Sequence, residues 1–245
     1  MRHLRHREGG RLTTARRLAL VTGASRGIGR ATCVRLASDG YAIAAVARDA
    51  VALAALKAEV ESSGGSCQAI VLDLADAAAI PPALGGLDVT VLVNNAGVAT
   101  TKPMADMSPI EWNHMLDVNV NALFHVTRAV LPAMLARGSG HICTIGSIAG
   151  RSAFVGGTAY CGTKAFVTAW AESLMLEVRE RGVKVSVVMP GGVATDFGGK
   201  PATSADDWKL HAIDVADAVS HIVNTPPSVL VHRLEVRTLS SPPAR

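Results

Sequence analysis

The chain has 245 residues, 49% of them hydrophobic and only 4% aromatic, which suits one α/β domain whose core is built from Ala, Val, Leu and Ile. The formal charge of +4 is unevenly placed: Arg2, Arg5, Arg7, Arg11, Arg16 and Arg17 face only Glu8 in residues 1–17, and the remainder carries 18 basic and 19 acidic residues. The basic balance thus belongs to an N-terminal extension and is no argument for a nucleic-acid-binding fold. No apolar run is long enough to span a membrane, and residues 1–17 lack the apolar core of a secretory signal. The expectation is a cytoplasmic protein with a disordered extension over 1–17, a domain over 18–239 and a short tail over 240–245. Deleting residues 1–16 is expected to leave turnover intact. Cys33, Cys67, Cys143 and Cys161 have no CxxC spacing and read as small core residues, with no metal expected.

In chain order, seven short apolar runs read as buried strands: Leu18–Thr22, Ala42–Ala47, Cys67–Leu72, Val89–Asn94, His141–Ile145, Lys184–Met189 and Val229–Val236. Helical patterns separate them at Gly27–Ser38, Val51–Ser62, Pro109–Arg137, Tyr160–Arg181 and Asp214–Val223. Ser108-Pro109-Ile110-Glu111 carries a capping box with proline in the first turn. Gly138 and Gly182 each follow a basic residue at a helix end, and Pro132 is expected to kink the long helix. Alternating strands and helices predict a single doubly wound parallel sheet of about seven strands, with helices on both faces. The Gly- and Pro-containing stretch 191–205, within a substrate loop of about 191–212, is a candidate lid.

Thr22-Gly23-Ala24-Ser25-Arg26-Gly27-Ile28-Gly29 joins the first strand to the first helix. A dinucleotide pyrophosphate binds at such a helix N-terminus in Rossmann-type folds. The second strand ends in alanine, where NAD-binding folds place an acid on the ribose, and Arg48 follows. An arginine there pairs with a 2′-phosphate, and Arg26 in the turn can assist, so NADPH is favoured over NADH. Asp49 is the counter-argument, since it reaches the ribose if the strand ends later; otherwise Arg48 and Asp49 form a solvated loop and Asp49 caps the next helix. Tyr160 and Lys164 are i and i+4 on one helix face. A nearby ammonium lowers a tyrosine pKa, which suits proton exchange with a carbonyl oxygen.

With Asp73-Leu74, Asn94-Asn95-Ala96-Gly97, Asn119, Ser147, Tyr160-x-x-x-Lys164 and Pro190-Gly191, the chain resembles the classical short-chain dehydrogenases/reductases over about residues 18–195. The resemblance implies a catalytic set of Asn119, Ser147, Tyr160 and Lys164. Ser147 would hold the substrate oxygen, Lys164 the nicotinamide ribose, and Asn119 a water that links the lysine to solvent. It implies cofactor contacts from Gly23, Ser25, Arg26, Gly27, Ile28, Gly29, Arg48, Asp73, Leu74, Asn95, Ala96, Gly97, Tyr160, Lys164, Pro190, Gly191, Val193 and Thr195. Asp73 would lie near the adenine, Asn94 near the adenosine half and Thr195 near the nicotinamide. The implied activity is NADPH-dependent reduction of a ketone or aldehyde carbonyl, or the reverse, in a homodimer or homotetramer built through the two long helices. The alternatives are an NAD-dependent alcohol dehydrogenase and a non-catalytic cofactor sensor, which would be expected to lack the tyrosine or the lysine. Phe197 and Trp208 are candidate lid aromatics. Arg151 and Phe154 are candidate pocket residues, and Arg151 either attracts an anionic substrate or is a surface arginine.

Overall fold

The computed structural model describes residues 17–198, 203 and 206–240. Residues 1–16 of the extension expected over 1–17, residues 241–245 of the tail expected over 240–245, and residues 199–202, 204 and 205 of the expected substrate loop lie outside the described residues. Seven parallel strands are present: β1 Leu18–Thr22, β2 Ala42–Ala47, β3 Ser66–Val71, β4 Val89–Asn94, β5 Gly140–Ile145, β6 Val183–Pro190 and β7 Arg233–Val236. Their order is β3-β2-β1-β4-β5-β6-β7. The order reverses between β1 and β4, so the crevice beyond the carboxyl ends of these two strands is where such a sheet takes a ligand.

Helices α1 Gly27–Ser38, α2 Ala50–Ser62 and α7 Ala212–Val223 cover one face, whose core includes Cys33, Leu36, Leu56, Val60 and Val219. The other face is covered by α3 Ile80–Leu84, α5 Ala122–Arg137 and α6 Thr158–Val178, through Leu84, Val126, Met134 and Leu174, and α4 Pro109–Leu116 packs against α6. Strands buried on both faces read as continuous Ala and Val runs because neither side meets water. The core is almost free of aromatics; Tyr41 is the large exception, 1% exposed with the Arg17 guanidinium 4.3 Å over its ring. All four cysteines are buried and free.

Three elements differ from the sequence reading. The pattern over Pro109–Arg137 is two α-helices joined by a π-helical turn at Asp117–Asn121. The seventh strand begins at Arg233 and not at Val229: its pairing with β6 starts at Val187 against Arg233, and the Val231 carbonyl before it accepts from the Ser186 side chain. The short α3, with prolines at its start, has no counterpart in the predicted elements. The capping box at Ser108 and Glu111 forms as predicted, and Gly138 and Gly182 take the left-handed conformation that ends a helix (φ 68° and 78°). Among the described residues no helix is long and apolar enough to cross a membrane, and no cluster of three potential metal ligands occurs.

Candidate active site

The β1–α1 turn is shaped first by its own neighbours. At Gly29 a β-carbon would stand 2.2 Å from the carbonyl oxygen of Gly23, and at Gly23 one would stand 2.9 Å from Ala96 Cα. Glycine is therefore required there for the chain to close on itself. Thr22 Oγ1 accepts the N–H groups of Asn95 and Ala96, each at 3.0 Å, and Asn95 Nδ2 donates to the carbonyls of Thr22 (2.9 Å) and Gly23 (3.2 Å). The Asn95-Ala96-Gly97 segment is thus laced to the glycine turn. Asn94 points elsewhere: it is buried and donates to Thr127 on α5 at 3.1 Å.

Helix α1 has Arg26 at its N-cap and no side-chain cap. By contrast, α2 is capped by Asp49, whose carboxylate accepts from Ala52 N–H at 2.9 Å, and α4 by Ser108. The amide groups of the first turn of α1 therefore have no side-chain acceptor, which suits an incoming phosphate. Arg26 and Arg48 are both exposed. Arg48 Nη1 stands 3.9 Å from Asp73, whose other oxygen accepts from Ala75 N–H. Ile28 packs partly against the core, and Leu74 is buried.

At the carboxyl end of β5, Ser147 caps a short 3-10 turn, Ile148–Gly150, by accepting Ala149 N–H at 3.1 Å. Tyr160 lies in the first turn of α6. Burial raises its phenol above the ordinary value, and a hydrogen bond with Ser147 opposes that rise. Lys164 is 6% exposed, donates to the Ile145 carbonyl at 2.9 Å and is pushed down to about 8 by desolvation. Its ammonium lies 5.9 Å from the centre of the Tyr160 ring. The expected lowering of the tyrosine by the lysine is therefore not what the geometry yields here. Burial is the largest influence on the phenol, and Lys164 is engaged with the backbone of β5.

Asn119 sits in the π-helical turn, a frequent feature of functional helices. Its Oδ1 accepts Val98 N–H at 2.8 Å, and its Nδ2 donates to the Val98 carbonyl (2.9 Å) and to Thr163 Oγ1 (3.1 Å). Thr163 in turn donates to the Tyr160 carbonyl at 2.8 Å. A β-carbon on Gly97 would lie 3.3 Å from Asn119 Oδ1 and 3.8 Å from Lys164 Nζ. Asn119, Ser147, Tyr160, Lys164 and Gly97 are thus gathered in one place.

The loop after β6 closes the other side. Gly191 N–H donates to the Val236 carbonyl at 2.8 Å, and Val193 forms a parallel bridge with Leu210. The methyl of Thr195 would meet a β-carbon on Gly27 at 3.4 Å, so Thr195 borders the glycine turn. Phe197 stands 6.0 Å from the Tyr160 ring, tilted by 56°. Trp208 is half-buried, with Lys209 Nζ 5.8 Å over its ring. Arg151 is directed at Glu235 of β7 at 3.5 Å, and Arg237 pairs with the same carboxylate. Two residues the sequence reading passed over complete the arrangement. Thr163 links Asn119 to the tyrosine, and Thr144 lies buried on β5. Neither has a local sequence signal: the bond from Asn119 reaches Thr163 across 44 residues, and the burial of Thr144 follows from the packing of both sheet faces.

The family model for short chain dehydrogenases matches residues 17–206. The chain belongs to this family. As a short-chain dehydrogenase it is a nicotinamide-dependent oxidoreductase, and its parallel sheet is the family's. It is 32% identical over 232 residues to the serine 3-dehydrogenase of Rhizobium radiobacter, covering 89% of this chain and 92% of that protein. It is 35% identical over 235 residues to sulfoacetaldehyde reductase 2 of Chromohalobacter salexigens, covering 89% of this chain and 93% of that protein. A closed form of serine dehydrogenase complexed with NADP+ superposes with a TM-score of 0.83 at 34% identity, covering 89% of this chain and 94% of that one.

Proposed function

We propose that this short-chain dehydrogenase uses NADPH to reduce a ketone or aldehyde carbonyl to an alcohol, with Tyr160 as the proton donor. One observation carries the reading. Tyr160 opens α6 close to Ser147 at the end of β5, with the Lys164 ammonium 5.9 Å from the centre of its ring, and burial raises the phenol, which favours the protonated state a general acid needs. Bound NADPH supplies the hydride to the carbonyl carbon. Ser147 and Tyr160 hold the carbonyl oxygen, and Tyr160 gives it a proton as negative charge develops there. Lys164, buried and anchored on Ile145, orients the nicotinamide ribose and returns the proton. Asn119 holds Val98 and Thr163 in place behind it.

The choice of NADPH is supported by Asp49, which is engaged as the cap of α2 and so is no longer the ribose reader that NADH would need. Arg48 remains exposed beyond β2 to meet a 2′-phosphate. The NADP+ bound in the similar serine dehydrogenase supports the same choice. The glycine turn, the uncapped start of α1, Asn95, Ala96, Gly97, Pro190, Gly191, Val193 and Thr195 form the remaining cofactor wall. A homodimer or homotetramer joined through α5 and α6 is supported by Phe124, Phe166 and Leu176, which are 46%, 42% and 57% exposed on those helices. Four free thiols support a reducing, cytoplasmic setting.

Side-by-side titration with NADPH and NADH, followed by turnover on a panel of small ketones and aldehydes, tests the reading. Tighter NADPH binding with carbonyl reduction is expected. Tighter NADH binding would return the ribose contact to Asp49 and favour alcohol oxidation, and binding of neither would overturn the enzyme reading.

A further inference from the structure

Three loops meet around Tyr160. Lys102 N–H donates to the Gly156 carbonyl at 3.0 Å, and a β-carbon on Gly156 would stand 3.2 Å from the Thr101 methyl. These contacts join the loop after β4 to the loop before α6. A β-carbon on Gly198 would lie 4.0 Å from the Ala99 carbonyl oxygen, which brings the loop after β6 against the first. The Phe197 ring is 6.0 Å from that of Tyr160. A β-carbon on Gly157 would stand 2.9 Å from the Phe154 ring and 2.8 Å from Cys161 Sγ, so Phe154 lies over the turn that carries Tyr160.

Each of the three loops leaves a large apolar side chain in water. Met104, Phe154 and Phe197 are about half exposed, and Val155 is 96% exposed. Single exposed apolar residues need no explanation, but a group of them around one crevice marks a binding surface. The charges on the same loops do not suit an anion. Among the described residues their two cations are Lys102 and Arg151. Lys102 is bonded to Glu111 of α4, and that hydrogen bond is foremost in holding Glu111 down at about 2. Arg151 turns to Glu235 on β7, a carboxylate it shares with Arg237. Asp106 and Asp196 add negative charge to the first and third loops.

Resting on the carbonyl-reductase reading, we infer that this rim selects a neutral ketone or aldehyde with an apolar alkyl or aryl arm and rejects one whose arm ends in a carboxylate or sulfonate. The arm leaves water against Phe154, Val155 and Phe197, and each buried methylene contributes about 0.8 kcal/mol. A carboxylate in the same place would lose its hydration and find Lys102 and Arg151 already engaged by acids. Arg151 is then a surface arginine and not the reader of an anionic substrate.

The test uses 2-octanone, its near-isostere 7-oxooctanoate, and acetone, which lacks the arm. Calorimetry on the protein saturated with whichever oxidised nicotinamide cofactor binds, where no reduction can run, is expected to show 2-octanone bound at least about tenfold tighter than 7-oxooctanoate. In turnover, kcat/KM for 2-octanone is expected to exceed that for acetone about 100-fold, the worth of roughly three or four buried methylenes. Val155→Asp, at a position open to water, is expected to cut kcat/KM for 2-octanone about fivefold and to leave acetone within about twofold. Arg151→Gln is expected to leave 7-oxooctanoate within about twofold. Equal or tighter binding of 7-oxooctanoate overturns the inference, and so does a tenfold loss of that compound in Arg151→Gln. A rim that instead joins two copies of the chain would show as a lower mass of Val155→Asp in sedimentation with 2-octanone turnover unchanged, which also overturns it. If none of the three ketones is reduced while the binding preference holds, the carbonyl-reductase reading fails and the selectivity of the rim stands.

Discussion

Below the Tyr160 hydroxyl, Asn119, Thr163, Lys164 and Ile145 are joined by bonds of 2.8–3.1 Å, and the three side chains are no more than 6% exposed. Above it, Phe197 is 45% exposed, and the surrounding charges (Arg151 with Glu235, Lys209 with Asp206) sit in ion pairs open to water. Surface pairs of this kind contribute little to stability. The floor is therefore rigid because buried polar groups must be bonded, and the roof is free to vary because nothing comparable constrains it. Changes in the floor should act on the chemical step, and changes in the roof on substrate affinity.

The sharpest way to break that contrast is Tyr160→Phe. Turnover is expected to fall by about 10²–10⁴-fold with NADPH affinity retained; near-normal turnover would falsify Tyr160 as the acid. A second test reaches the opposite end of β5. His141 is buried against Ser186, and desolvation, assisted by Lys184, pulls its pKa down to about 3. The unfolded chain takes up this proton below about pH 6.5 and the folded protein does not. The stability it contributes is complete above pH 6.5 and is lost as the pH falls towards about 3. Urea melts at pH 7.5 and 5 should differ by about 2 kcal/mol through this group, and His141→Asn should remove that difference.

Arg48→Ala comes next. The dissociation constant for NADPH is expected to rise about tenfold, since one exposed charge-assisted contact is lost, with NADH unchanged in calorimetry. Unchanged binding of both cofactors would return Arg48 to the role of a solvated loop residue, and equal losses would place it on a part common to both. The smallest effect is expected in the roof. Phe197→Ala should raise KM for a small ketone about three- to tenfold and change kcat less than twofold. A kcat loss comparable to that of Tyr160→Phe would mean that the roof belongs to the chemical machinery, and the contrast would fail.

The strand–helix alternation, the capping box at Ser108 and the helix-ending glycines at 138 and 182 were legible in the sequence, because each depends on hydrophobic period or on a turn within a few residues. So was the pairing of Tyr160 and Lys164, four residues apart on one helix, whereas the place of Ser147 beside them came only through the family resemblance. The π-helical turn at Asn119 was not legible, since its register is set by the clamp on Val98, 21 residues away. Nor was the start of β7, which is set by where β6 begins to pair with it, at Val187 against Arg233. Asp49 left two roles open until the start of α2 settled it as a cap, and Asn94 turned towards Thr127 on α5 and away from the glycine turn. Most telling is the phenol of Tyr160. Spacing placed a lysine four residues away, but only the packed structure decided that the ammonium would bond the Ile145 carbonyl and that burial would govern the tyrosine. Sequence period determines which residues share an element; desolvation and long-range hydrogen bonds exist only once the elements have packed.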